Sequence, residues 1–165
     1  MHQETIWPTE KAALYRLMAS QLEALVADCP PVSALSNAAA LLCDALADIN
    51  WAGFYLLKGD MLHLGPFQGK TACTLIPVGR GVCGTAAVTR KIQLVTDVHQ
   101  FPGHIACDSA SNSEIVLPLI KDDVLLGVMD IDAPIFARFD EEDEKGLAHL
   151  CDILVNQVDW TNGLL

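Results

Sequence analysis

Three cysteines in the middle of the chain stand among residues with which a thiol could do chemistry. Cys107 lies in "GHIACDSASNSEIVLPL", with His104 before it and Asp108 and Glu114 after it; Cys73 lies in "TACTLIP" and Cys83 in "GRGVCGTA". A thiolate is both a nucleophile and a metal ligand. Cys107 with His99 or His104 would form the dyad of a cysteine protease or acyltransferase. Cys73, Cys83, Cys107, His99 and His104 could together supply zinc ligands, although the close Cys-x2-4-Cys pairs usual in structural zinc sites are missing. Gly79, Gly81 and Gly84 of "GRGVCG" formally match G-x-G-x-x-G. The helix-like "TAAVTR" after it has room for only about two turns, too short for a dinucleotide-binding crossover. The glycines then read as shaping a tight loop that carries Cys83 towards a pocket.

The acids add a second kind of chemistry. Asp130 and Asp132 of "GVMDID" are two apart, so on a strand they share a face. One reading is a solvated strand end. The other adds Glu114 at the start of the neighbouring strand and makes a pocket of three carboxylates. Crowded carboxylates raise one another's pKa, so one could keep a proton as a general acid while the others bind a cation such as an amine. Trp51 and Tyr55 of "NWAGFYLL" also share a face. They read as core, or as the wall of a pocket for a small apolar group with ring donors left for hydrogen bonds.

These residues need elements to hold them. "TEKAALYRLMASQLEALVAD" repeats Leu14, Leu17, Met18, Leu22, Leu25 and Val26 at helical spacing, with Thr9 as expected N-cap and "CPP" as its end. "SALSNAAALLCDALADI" places Leu35, Ala38, Ala39, Leu42, Cys43, Leu46 and Ile49 on one stripe. From Asn50 the period changes to short strand candidates: "WAGFYLL", "MLHLG", "CTLIPV", "KIQLVTD", "EIVLPLI" and "VLLGVMDID". Lys58-Gly59-Asp60 and Lys121-Asp122-Asp123 join two pairs of them so tightly that the pairs must be antiparallel hairpins. Acids crowd the start of a last helix in "FDEEDEKGLAHLCDILVNQVDW", whose buried stripe is Leu147, Leu150, Cys151, Leu154 and Val158. The expected domain is α/β or α+β, with one antiparallel sheet, helices on one face and loops over the other. Cys43 and Cys151 then read as core residues and Cys29 as a loop thiol.

Composition narrows the function classes. At 165 residues the chain fits one domain. Its net charge of −11 disfavours nucleic acid and anionic lipid. No apolar run reaches the length of about 18 residues that a membrane span needs. "MHQETIWPTE" lacks the features of a secretion signal, so the expected location is cytoplasmic, where thiols stay reduced.

Taken together, "NWAGFYLL", "GPFQGKTAC", "IPVGRGVCGTA", "DVHQFPGHIACDSASNSEIVLPL", "GVMDIDAP" and "FDEEDEKGL" resemble the free methionine-(R)-sulfoxide reductases, which are built on a GAF domain. The resemblance covers most of the chain and is specific, because ordinary GAF sensor domains lack these three cysteines. It implies an α/β (α+β) GAF fold over residues 1–165, with an N-terminal helix at about 9–28 and a core at about 33–159. The sheet would have six antiparallel strands, with helices on one face and the active-site pocket on the other.

The same resemblance implies Cys107 as nucleophile, Cys73 as resolving thiol and Cys83 as a second resolving or relay thiol. Glu114, Asp130 and Asp132, with Trp51 and Tyr55, would hold the substrate. Attack on the sulfoxide would release methionine and leave a sulfenic acid, which would close to a disulfide and be reduced by thioredoxin or a similar dithiol, with no cofactor or metal. Three acids should also raise the pKa of Cys107, so backbone N–H groups, a shared proton or His104 must offset them. A homodimer through the terminal helices is compatible with the resemblance. Two other classes remain: a GAF sensor that binds a small ligand without catalysis, and a metal-binding regulator using Cys73, Cys83 and Cys107.

Overall fold

Alternation along the strands decides which side chains meet the helices and which meet the pocket. The computed structural model describes residues 5–27 and 29–162. In chain order it contains α1 (Lys11–Val26), α2 (Pro31–Ala45), β1 (Trp51–Lys58), β2 (Met61–Gly69), β3 (Leu75–Pro77), α3 (Gly81–Thr89), β4 (Gln93–Val95), β5 (Ser113–Lys121), β6 (Val124–Ala133) and α4 (Glu141–Gln157). The strands form one six-stranded sheet in the order β3-β2-β1-β6-β5-β4. Every neighbouring pair is antiparallel. Both tight turns act as expected. Gly59 turns β1 into β2 and Asp122 and Asp123 turn β5 into β6, all three with positive φ.

On one face Ala52, Phe54 and Leu56 of β1, Ile115, Leu117 and Leu119 of β5, and Met129 and Ile131 of β6 pack with α1, α2 and α4. Burying each of the larger side chains contributes about 1.5–3 kcal/mol. The opposite face carries a smaller cluster that includes Trp51, Tyr55, Val116 and Val128 together with Val82, Cys83, Ala86 and Ala87 of α3. The helices are therefore not all on one side: α3 lies over the pocket face. Among the described residues no helix is long and apolar enough to cross a membrane.

Several local expectations need correction. The N-cap of α1 is Glu10 rather than Thr9, its carboxylate accepting from the N–H groups of Ala12 and Ala13. Leu14, Met18, Leu22 and Val26 are buried in α1, but Leu17 is only half-buried and Leu25 is exposed, because the buried stripe continues through Tyr15 and Ala19 instead. Helix α2 starts at Pro31 and ends at Ala45, leaving Ile49 beyond it. Cys43 is exposed rather than core, since the apolar run of α2 is wider than the face it buries. Cys151 is buried, as its stripe requires.

An ion-pair network ties α1 to the start of α4. Asp140 caps α4 in a capping box with Asp143. Lys11 donates to both carboxylates at 2.6 Å. Asp143, almost wholly buried, also accepts from Tyr15 Oη at 2.8 Å and lies 3.5 Å from Arg138.

Candidate active site

The floor of the pocket follows from register. Residues directly opposed on antiparallel strands point to the same face. Glu114 opposes Asp132 across β5 and β6, and Asp132 and Asp130 oppose Trp51 and Gly53 across β6 and β1. Three strands therefore bring Glu114, Asp130, Asp132, Trp51 and Tyr55 into one cavity, with about 40 Å³ of free space for water-sized molecules. Gly53 is required there: a Cβ at this position would collide with Phe67 and come within 2.8 Å of the Trp51 ring. Without it Trp51 stacks on Phe67 at 5.2 Å and on Tyr55 at 6.0 Å between ring centres.

Above the floor lie the first turn of α3 and two loops. Cys83 belongs to α3 rather than to a loop, and is buried. The glycines around it have steric duties. Gly81 opens the helix at φ +64°, and a Cβ on Gly84 would sit 2.6 Å from the Pro77 carbonyl oxygen. With the sheet wholly antiparallel and α3 nine residues long, "GRGVCG" is no dinucleotide fingerprint.

The loops carry the other two thiols. Cys73 and Cys107 form a disulfide with Cα atoms 5.7 Å apart. The ring donors of the aromatic wall, read from the sequence as left for hydrogen bonds, instead hold the Cys73 segment: Trp51 Nε1 donates to the Lys70 carbonyl at 3.1 Å and Tyr55 Oη to the Cys73 carbonyl at 2.9 Å. Asp108 fixes the Cys107 loop by accepting from the Ala110 N–H at 2.9 Å and from Asn50 Nδ2 at 3.1 Å. His104 enters the pocket with Nε2 3.7 Å from Glu114 Oε2. His99 instead meets Asn112 Oδ1 at 3.0 Å.

Comparison with known proteins agrees with this geometry. The GAF domain family profile matches residues 33–156. The free methionine-R-sulfoxide reductase of Escherichia coli (strain K12) is 61% identical over 119 residues, 72% of each chain. An X-ray structure of the free methionine-R-sulfoxide reductase of Neisseria meningitidis with its substrate superimposes with a TM-score of 0.90 at 46% identity, covering 95% of both chains. The reduced form of fRMsr of Staphylococcus aureus superimposes at 0.86 with 51% identity, covering 95% of this chain and 100% of that one. The chain belongs to the free methionine-R-sulfoxide reductase family of GAF domains.

In this family member the acids are far from ordinary carboxylates. Burial, then the neighbouring charges of Asp130 and Asp132, push Glu114 well up. Burial and the Asp130 charge do the same to Asp132. Asp130 is raised by burial only to about 6, because hydrogen bonds from Glu114 and Cys83 favour its anion. Asp130 is thus the acid of the three that the hydrogen bonds favour as an anion, while Glu114 and Asp132 are pushed towards the protonated form that can donate. Cys83 feels the acids strongly: burial, then Asp130 and Glu114, push this thiol well up. Asp108, beside Cys107, is held below the usual range by the Ala110 N–H. Burial lowers the pKa of His104, with the nearby His99 adding to the effect.

Sequence reasoning missed four residues of the site. Arg80, Thr71 and Ser111 line the pocket, and Asn50 joins Asp108 and Ser111 from the residue before β1. Nothing local marks Asn50, whose partners lie 58 and 61 residues further on.

Proposed function

We propose that this chain reduces free L-methionine-R-sulfoxide to methionine through a thiol–disulfide cycle, without a cofactor. The observation that carries the reading is the Cys73–Cys107 pair, with Cys107 at a pocket floored by the buried Glu114 and Asp130 and the half-buried Asp132 and walled by Trp51. Names of relatives at high identity support the same reaction class.

The chemistry follows from the groups present. The Cys107 thiolate attacks the sulfoxide sulfur. Glu114 or Asp132, whose carboxyls are pushed up towards the protonated form, protonates the departing oxygen, methionine leaves, and Cys107 becomes a sulfenic acid. Its sulfur then accepts the Cys73 thiol, water departs, and the disulfide forms. A thioredoxin-like dithiol restores both thiols, which suits a reducing compartment such as the cytoplasm. Cys83, sealed in α3 beside the acids, serves as a later relay thiol rather than as the first partner. The Asp130 carboxylate attracts the substrate ammonium, and the Trp51 ring packs against its apolar end. An enclosed pocket of this kind favours a free amino acid over a peptide.

Single-turnover release of methionine from prereduced protein tests the scheme. Wild type should release one equivalent from the free R-sulfoxide, Cys107→Ser none, and Cys73→Ser one equivalent without efficient recycling. Reduction by Cys107→Ser at the wild-type rate would remove the thiol from the chemistry. Turnover of a peptide-bound sulfoxide as fast as the free amino acid would refute the substrate assignment.

A further inference from the structure

Three potential ligands from separate parts of the chain converge inside the pocket, with a histidine beside one of them. Cys83 Sγ and one carboxylate oxygen each of Glu114 and Asp130 lie within 4.8 Å of one another, and all three residues are buried. Nε2 of His104 adds an imidazole 3.7 Å from Glu114 Oε2. Independently, the buried Oδ1 of Asp130 has no hydrogen-bond partner, although the residue is 6% exposed and lines the cavity. A buried carboxylate oxygen in that state calls for a donor or a cation. Thiolate and imidazole among the donors exclude Mg2+ and Ca2+, which take oxygen ligands, and match Zn2+.

We infer that the pocket is also a binding site for a borderline divalent cation of the Zn2+ type, held by Cys83, Glu114, Asp130 and His104. The proposal adds a ligand to the pocket assigned above and rests on that reading only in one consequence: the ion and the substrate exclude each other. Tetrahedral bonds of about 2.0–2.3 Å put nitrogen and oxygen ligands about 3.4 Å apart and sulfur and oxygen about 3.5 Å apart. The imidazole is already near that spacing from Glu114, and the thiol, within 4.8 Å of both carboxylates, needs to close by about 1.3 Å at most. Binding releases the Cys83 thiol proton, with any proton Glu114 holds, to solvent. No electron moves, and the Cys73–Cys107 disulfide stays intact. The ion supplies the positive charge that three crowded acids lack.

The disulfide-closed protein is the right material, because Cys73 and Cys107 then offer no thiolate. It is titrated with Co2+, read by the visible bands of tetrahedral coordination and by thiolate charge transfer, and with Zn2+ by calorimetry. One equivalent should bind with a tetrahedral cobalt spectrum, and Cys83→Ser, Glu114→Gln and His104→Gln should each weaken binding at least tenfold. If Cys83→Ser fails to fold, Glu114→Gln carries the test. Absence of a tetrahedral spectrum at one equivalent, or wild-type affinity in any folded variant, overturns the site. Methionine release by the reduced protein is measured separately. Release without metal binding defeats this inference alone, and metal binding without release defeats the reductase reading alone.

Discussion

Asp130 should weaken the fold it belongs to, and the size of the effect can be worked out. In an unfolded chain its carboxyl ionises near pH 4. Buried in the pocket it keeps its proton to about pH 6. Between those values the folded state binds more protons than the unfolded one, so stability falls as pH rises. For this residue the loss reaches about 3 kcal/mol by neutral pH. Glu114 and Asp132 are shifted the same way and add to the fall. Asp140 works in the opposite sense, because Lys11 holds its pKa at about 2 and that contribution is lost only in strong acid. The ligand-free, disulfide-closed protein should therefore be most stable at about pH 4–5 and less so at about pH 8. Asp130→Asn keeps the shape and removes the ionisation, but leaves an amide with incomplete partners. The net gain near neutral pH should be about 1–2 kcal/mol, a rise in Tm of roughly 2–8 °C, vanishing near pH 5. Thermal melts of both proteins across this range decide the matter. An Asp130→Asn protein less stable than wild type by the same margin at every pH would refute the reasoning.

Other substitutions separate stability from chemistry. Asp143→Ala strands Lys11, Tyr15 and Arg138 at the junction of α1 and α4, and should cost about 3–5 kcal/mol with little effect on methionine release at low temperature. Calorimetry paired with the release assay checks both parts. Trp51→Ala removes a ring buried to 3% exposure and stacked on two others, so a loss of about 3–5 kcal/mol should accompany at least a tenfold rise in KM. An unchanged KM would mean the ring is core alone. Tyr55→Phe deletes the hydroxyl that holds the Cys73 carbonyl and should slow disulfide closure more than the first release of methionine, as thiol quantification against methionine release will show.

How much of this was legible in the sequence depended on the range of the interaction. The period of two in "GVMDID" and "NWAGFYLL" gave the faces of β6 and β1, and the turns Lys58-Gly59-Asp60 and Lys121-Asp122-Asp123 gave their hairpin partners. Those local signals were enough to pair Glu114 with Asp132, whereas the β1–β6 pairing that joins the aromatics to the acids is long-range, marked by no turn and implied only by the family resemblance. Cys83 was misplaced because glycines signal turns and close packing alike. Gly84 is there to let α3 approach Pro77, which only the assembled fold reveals. Cys43 misled for a related reason: an apolar stripe on α2 does not say how wide a face the sheet will cover. Placement of α3 on the pocket side likewise depends on the path from β3 to β4 across the sheet.

The first residues of β1 explain how two cysteines 34 apart in sequence come to face each other. Trp51 and Tyr55 present their rings to the cavity while their polar tips hold the Lys70 and Cys73 carbonyls. Asn50, one residue before the strand, reaches the other way to Asp108, next to Cys107. One strand end therefore anchors both loops, and its partner β6 supplies Asp130 and Asp132 in register. Recognition and thiol pairing share the same supports.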